Sequence, residues 1–200
     1  GVILADIGGG TTDIAVYRDG SIYHTAVVPV AGYQFTSDLS VGLGLPFDVA
    51  EAMKKKYGNV TPNMDPKEAE AVRISNGHDI SYVDLCHIVR VRMEELLKLI
   101  LLEMPSSDYM ALAPAGLVLT GGASNLPGLV DLSQATIRMP TRVGMPMGVY
   151  GVTDILNNPA YATGIGLLLW GTHAQNRTWQ NSKKSGMFGG FMSMLKKLFK

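Results

Sequence analysis

The sequence is poor in the residues that make chemistry easy to read. Its 200 residues include one cysteine, Cys86, so no internal disulfide can form and a reducing compartment suits the chain. Cys86 stands among Leu85, Ile88 and Val89, where it reads as a small buried hydrophobe rather than a nucleophile. Four histidines, His24, His78, His87 and His173, follow no metal-ligand spacing, so no zinc site is expected. Charge is balanced, with 17 Lys and Arg against 17 Asp and Glu, and no nucleic-acid surface is expected. The P-loop pattern Gly-x-x-x-x-Gly-Lys-Ser/Thr is absent, and so is any internal repeat. The chain begins Gly1-Val-Ile-Leu, inside a strand pattern and without an initiator methionine or signal peptide, which reads as a fragment.

Glycine is what the sequence has in telling places. The apolar run Gly1 to Ala5 leads into Asp6-Ile-Gly-Gly-Gly-Thr-Thr-Asp13, and Ile14-Ala-Val-Tyr17 leads out. This reads as a buried strand, a glycine turn and a second strand. Gly8, Gly9 and Gly10 carry no Cβ, so a bulky anion can approach the backbone and φ > 0 is open where needed. Their N–H groups, with the Thr11 and Thr12 hydroxyls, can point at phosphate oxygens. Asp6, at the mouth of the strand, stands where a carboxylate would hold Mg²⁺ through its water shell. Asp13 reads as a carboxylate that satisfies the turn rather than a catalytic base, since no second acid or histidine stands near it in sequence.

A second strand, Ala115 to Thr120, ends in Gly121-Gly-Ala-Ser-Asn-Leu-Pro-Gly128. Ser124 or Asn125 is expected to cap a helix there, with Pro127 in its first turn. A helix N-terminus beside bare backbone suits a nucleoside and its phosphates, so Gly121, Gly122, Ala123, Ser124 and Asn125 are candidate ligand contacts. Together the two turns form a phosphate-plus-adenosine clamp.

The fold class expected is α/β, a mixed sheet with helices. Strands are predicted near 1–6, 12–18 and 21–29, with Asp19-Gly20 as a two-residue hairpin turn. Helices follow over 35–43 and 47–57, separated at Gly44-Leu-Pro46. Residues 68–83 carry short strand-like pieces. Ser81 then caps a long helix lined by Leu85, Ile88, Val89, Met93, Leu96, Leu97 and Ile100 at helical spacing, and Pro105 ends it. A strand near 141–144 and an apolar helix from Pro159 to Trp170 follow. This return to sheet implies that 35–112 is an α+β subdomain inserted between 1–34 and 113–173.

The last residues have different physics. A polar linker, 174–186, precedes Met187-Phe-Gly-Gly-Phe-Met-Ser-Met-Leu-Lys-Lys-Leu-Phe-Lys200. On a helix, Phe188, Phe191, Met192, Leu195, Leu198 and Phe199 share one arc, and Lys196, Lys197 and Lys200 share the other. At roughly 21 Å such a helix is too short to span a bilayer. It is expected to lie in the interface, lysines on anionic lipid headgroups.

The two glycine turns resemble the second phosphate loop and the adenosine loop of the actin, Hsp70 and sugar-kinase ATPase superfamily. Within it the chain resembles the FtsA family of bacterial cell-division proteins. The likeness is carried by Val28-Pro-Val-Ala-Gly-Tyr-Gln-Phe-Thr-Ser-Asp-Leu39, Ala50-Glu-Ala-Met-Lys54, Tyr57-Gly58, Arg92-Met-Glu-Glu-Leu-Leu97, Leu119-Thr-Gly-Gly122, Pro159-Ala-Tyr-Ala-Thr-Gly-Ile-Gly-Leu167 and the tail. It spans nearly the whole chain but only the second half of the family's length. The family's first phosphate loop is absent, as is the subdomain inserted in its first half.

The resemblance implies an actin-like ATPase second domain that takes ATP and Mg²⁺, with Arg92 and Glu95 presented to the adenosine. It implies a protein on the cytoplasmic face of the cell membrane at the division septum. There it would tether the C-terminal peptide of FtsZ through the inserted subdomain, self-associate into actin-like filaments and recruit later divisome proteins. ATP turnover would be slow at most, and negligible for this chain alone. The rival readings are a sugar kinase, an Hsp70-type ATPase and a pilus-assembly ATP-binding protein. None of the three has the lysine-rich amphipathic tail, and no sugar-reading acid is located for a kinase.

Overall fold

Alternation of apolar side chains builds the sheet. In β1 (Val2–Ile7), Ile3, Ala5 and Ile7 are fully buried on one face, while Val2, Leu4 and Asp6 point to the other. The computed structural model describes residues 1–61, 72–73, 79–148 and 156–172. β1 pairs antiparallel with β2 (Thr12–Arg18), which pairs antiparallel with β3 (Ser21–Val28). The expected hairpin joins β2 to β3, with Asp19 at φ 51° and Gly20 at φ 76°. Both angles are positive, as the right-handed strand twist demands of a tight turn.

Among the described residues, the chain then leaves the sheet for four helices and a small ladder. They are α1 (Gly32–Leu43), α2 (Phe47–Tyr57), the antiparallel pair β4 (Val72–Arg73) and β5 (Asp79–Ile80), α3 (Tyr82–Leu102) and α4 (Tyr109–Leu112). Ser81 caps α3 as expected, its hydroxyl accepting from the Asp84 amide at 3.2 Å. The chain returns at β6 (Leu117–Thr120), which lies parallel to β1, and continues through α5 (Leu129–Ile137) to β7 (Thr141–Val143), parallel to β6. The sheet order is therefore β3-β2-β1-β6-β7. Residues 162–172 form a further helix, here α6.

Two boundaries differ from expectation. α1 starts at Gly32, three residues early, because the Gly32 and Tyr33 amides bond the Gly8 and Gly9 carbonyls at 3.0 and 2.7 Å. The excursion from the sheet thus begins inside the 1–34 segment. α5 is capped by Gly128 (φ 79°), not by Ser124 or Asn125, which lie in a preceding 3-10 turn, Gly122–Asn125.

One hydrophobic cluster joins Phe35 and Leu39 of α1, Met93, Leu96 and Leu97 of α3, and Leu129 and Leu132 of α5 to Ile3, Ala5, Ile7, Leu117 and Leu119 of the sheet. The helices of the excursion share this core with the strands. Thr163 of α6 reaches Asp6, which points to the opposite face of β1. No helix among the described residues is long and apolar enough to cross a membrane. The expected linker at 174–186 and amphipathic helix at 187–200 lie outside the described residues.

Candidate functional site

The parallel pairing of β1 with β6 brings both glycine turns to one end of the sheet. Asp6 of β1 is the register partner of Thr120 in β6 and of Asp13 in β2. Strand ends next to a switch in chain direction are where open α/β sheets leave a crevice. A cleft of about 970 Å³ lies there. Its lining includes Asp6, Gly8, Gly9, Gly10 and Asp13 from the first turn and Gly121, Gly122, Ala123 and Asn125 from the second.

The first turn is closed by the Gly8 amide bonding the Thr11 carbonyl at 3.0 Å. None of Gly8, Gly9 and Gly10 has a positive φ, so left-handed backbone is not why glycine stands there. A Cβ on Gly9 or Gly10 would meet nothing within 4 Å, so the missing side chains leave bare backbone facing the cleft. Gly121 is the opposite case. Its φ is 85°, and a Cβ there would overlap the Asp6 carboxylate and the Ile7 carbonyl.

Five expected contacts, Thr11, Thr12, Ser124, Arg92 and Glu95, are not among the residues lining the cleft. Thr12 is fully buried and its hydroxyl donates to the Val30 carbonyl at 2.8 Å. Thr11 lies outside the lining and donates to Asp13 at 3.1 Å, so Asp13 accepts a hydroxyl of the turn. Ser124 is buried and donates to the Thr120 carbonyl at 2.6 Å. Arg92 does not reach the cleft, because its Nη2 donates to Asp38 Oδ1 at 2.9 Å and its guanidinium also pairs with Glu95. Asp38 above all holds the Arg92 pKa above its ordinary value. This fork ties α1 to α3, and Glu95 stays with it.

The charged side chains that do line the cleft beyond the first turn come from α2. Glu51, Lys54 and Lys55 line the cleft, with Thr36 of α1 behind them. Lys54 Nζ donates to the Gly32 carbonyl at 2.9 Å, to Thr36 Oγ1 at 2.8 Å and to Glu51 at 2.6 Å. Thr36 donates to Glu51, and Lys55 pairs with it at 3.1 Å. Burial pushes the Glu51 carboxyl up, but the bonds from Lys54, Thr36 and Lys55 outweigh it and hold its pKa down at about 2. Tyr33 and Phe47 stack at the α1–α2 rim with ring centroids 5.0 Å apart. The signal for Glu51 and Lys54 was their spacing of three on one helix face, easily taken for a solvated ion pair.

The second turn is braced from α6's side. Gly121 N donates to the Pro159 carbonyl at 3.1 Å, and Asn125 Nδ2 donates to Asn158 Oδ1 at 3.0 Å. Thr163 donates to Asp6 Oδ2. Asp6 and Asp13 stand side by side across the β1–β2 ladder, an arrangement that costs energy between like charges. Two adjacent carboxylates facing a bare glycine turn fit a hydrated Mg²⁺ that takes its other oxygens from water and phosphate. Among the described residues no group of three or more His, Cys, Asp or Glu could form an all-protein metal cage.

A family profile described as "Cell division protein FtsA" matches residues 3–166. The cell division protein FtsA of Pseudomonas aeruginosa is 41% identical over 181 residues, covering 88% of this chain and 43% of that protein. FtsA of Escherichia coli strain K12 is 35% identical over 185 residues, with 86% and 43% covered. The chain thus spans less than half the length of these relatives. Among solved structures, MreB 5 of Spiroplasma citri bound to AMPPNP superposes with a TM-score of 0.70 at 18% identity, covering 90% of this chain and 55% of that one. The PilM-PilN type IV pilus biogenesis complex gives 0.64 at 21%, with 85% and 45% covered. At such identities the likeness is one of fold, and the fold is actin-like.

Proposed function

Because the chain belongs to the FtsA family of cell-division proteins, we propose that its cleft is one wall of an ATP·Mg²⁺ site in an actin-like protein that links FtsZ to the cytoplasmic membrane. The observation that carries the reading is the meeting of two glycine turns far apart in the sequence, at Gly8 to Thr12 and Gly121 to Asn125, beside Asp6. Gly9 and Gly10 would receive the phosphates on bare backbone, and Gly121 to Asn125 would receive the nucleoside. Glu51 and Lys54 supply the fixed polar groups that Arg92 and Glu95 do not. Asp6 would hold Mg²⁺ through water, and the ion would offset phosphate charge next to Asp13. Nucleotides named with structures of this fold, AMPPNP and ADP, support the choice of ligand.

Residues 35–112, read as an inserted subdomain, would take the acidic C-terminal peptide of FtsZ. Residues 187–200 would bind anionic lipid at the septum, and copies would self-associate and gather later divisome proteins. A pilus-assembly role draws on fold likeness alone, whereas identity to FtsA reaches 41%. Because the two glycine turns supply only one wall of the cleft, this chain alone is expected to turn over ATP negligibly.

Gly122→Val tests the cleft. A Cβ there meets only Ala160, at 4.0 Å, so the fold tolerates it while the branched side chain occupies the nucleoside's place. Calorimetric titration with ATP·Mg²⁺ is expected to show weak binding by the wild type and none by the variant. Equal binding by a folded variant would remove the assignment.

A further inference from the structure

Asp6 is where three separate segments converge. Its backbone is held in the sheet between Asp13 and Thr120, so the carboxylate can do little except rotate. Its Oδ1 lies against the main chain of Gly121, close enough that any Cβ there would overlap it. Its Oδ2 accepts the hydroxyl of Thr163, in the first turn of α6. A carboxylate between two such neighbours has its resting orientation set before any ligand arrives.

We propose that Thr163 is a positioning residue for Asp6, and that through this bond α6 registers whether the cleft holds a magnesium nucleotide. The inference rests on the nucleotide reading above. Drawing a hydrated cation to Asp6 reorients the carboxylate or changes how strongly it takes the Thr163 hydroxyl, and either change acts on the start of α6. That helix is lightly seated. Of its described residues only Ile165 is buried, and Leu167, Leu168 and Trp170 are 65%, 70% and 71% exposed. An element with few buried contacts depends on the polar bonds at its start, and beside the Gly121–Pro159 and Asn125–Asn158 bonds the one from Thr163 is the bond that reaches Asp6. Thr163 and Trp170 stand seven residues apart, hence on one stripe of the helix. Displacement at Asp6 is therefore read out at an indole two turns away.

The test uses the whole chain with Trp179→Phe, which leaves Trp170 as the single tryptophan. ATP is titrated with Mg²⁺ and, separately, with EDTA, following Trp170 emission and calorimetric heat. The wild-type background is expected to show a saturable emission change with ATP·Mg²⁺. Thr163→Val should weaken ATP·Mg²⁺ about tenfold, the size of a lost hydrogen bond to a charged group, and ATP in EDTA less than about twofold. Thr163→Ser should restore both. Equal affinities for Thr163→Val and wild type would overturn the proposal, as would equal losses with and without Mg²⁺, or heat of binding with unchanged Trp170 emission. If the wild type gives no heat with any nucleotide, the cleft reading fails and takes this one with it.

Discussion

One residue type does two unrelated jobs around the cleft. Gly9 and Gly10 are needed for what they leave open, and Gly121 for a backbone angle and a contact. Gly121→Ala is therefore expected to destabilise the fold by more than ~2 kcal/mol, through strain at positive φ and overlap with Asp6 and Ile7. A thermal melt that falls no further than that of Gly9→Ala would contradict this. Glu51 supports a second expectation. Its folded pKa of about 2 lies below the ordinary 4.5, so its ion pairs stabilise the fold above pH 4.5. That contribution is lost as pH falls from 4.5 towards 2. Glu51→Gln should cost on the order of 1 kcal/mol at neutral pH and flatten the acid limb of stability; an unchanged limb in urea melts would deny the pairing. The glycine turns were legible because runs of glycine after apolar strands have few other uses. The fate of Thr12 and Ser124 was not, because a hydroxyl's partner is a matter of tertiary distance. Both hydroxyls went to nearby carbonyls instead of the cleft.

At the scale of elements, the Arg92 fork is the instructive case. Sequence put Arg92 and Glu95 on one helix face, which was right, but could not say that Asp38 of α1 would face them. Arg92→Ala should loosen the α1–α3 contact by about 1–2 kcal/mol, since the pair is only partly exposed, and leave ATP affinity unchanged. A fall in affinity measured by calorimetry, with stability intact, would return Arg92 to the adenosine. Most elements could be read from periodicity, as the buried Leu85, Val89, Met93, Leu96 and Ile100 of α3 illustrate. The start of α5 could not, because Ser124 and Asn125 look like caps while Gly128 does the work in a left-handed conformation. For residues 187–200, flotation with vesicles decides. The wild type should float with anionic vesicles and less with neutral ones, each lysine near the surface adding about 1 kcal/mol. Leu195→Glu should abolish it, whereas equal flotation of a chain ending at Gly186 would locate the anchor elsewhere.

For the molecule as a whole, the chain spans less than half the length of the relatives it matches. A fluorescent C-terminal peptide of FtsZ is expected to bind weakly and lose affinity as salt rises, as charge-led contacts do. No change in anisotropy at low salt would count against the partner assignment. The pairing of Ile3 with Leu117 also bears on how the molecule comes to exist. Parallel neighbours so distant in the chain can meet only after a long loop has closed, so the sheet's centre has high contact order and should form slowly. On a ribosome, β1, β2 and β3 can assemble as a meander while β1 keeps one edge unpaired until β6 emerges. During that interval the nascent chain offers an open strand to any neighbour, and the two glycine turns come to share one cleft only when that edge is closed.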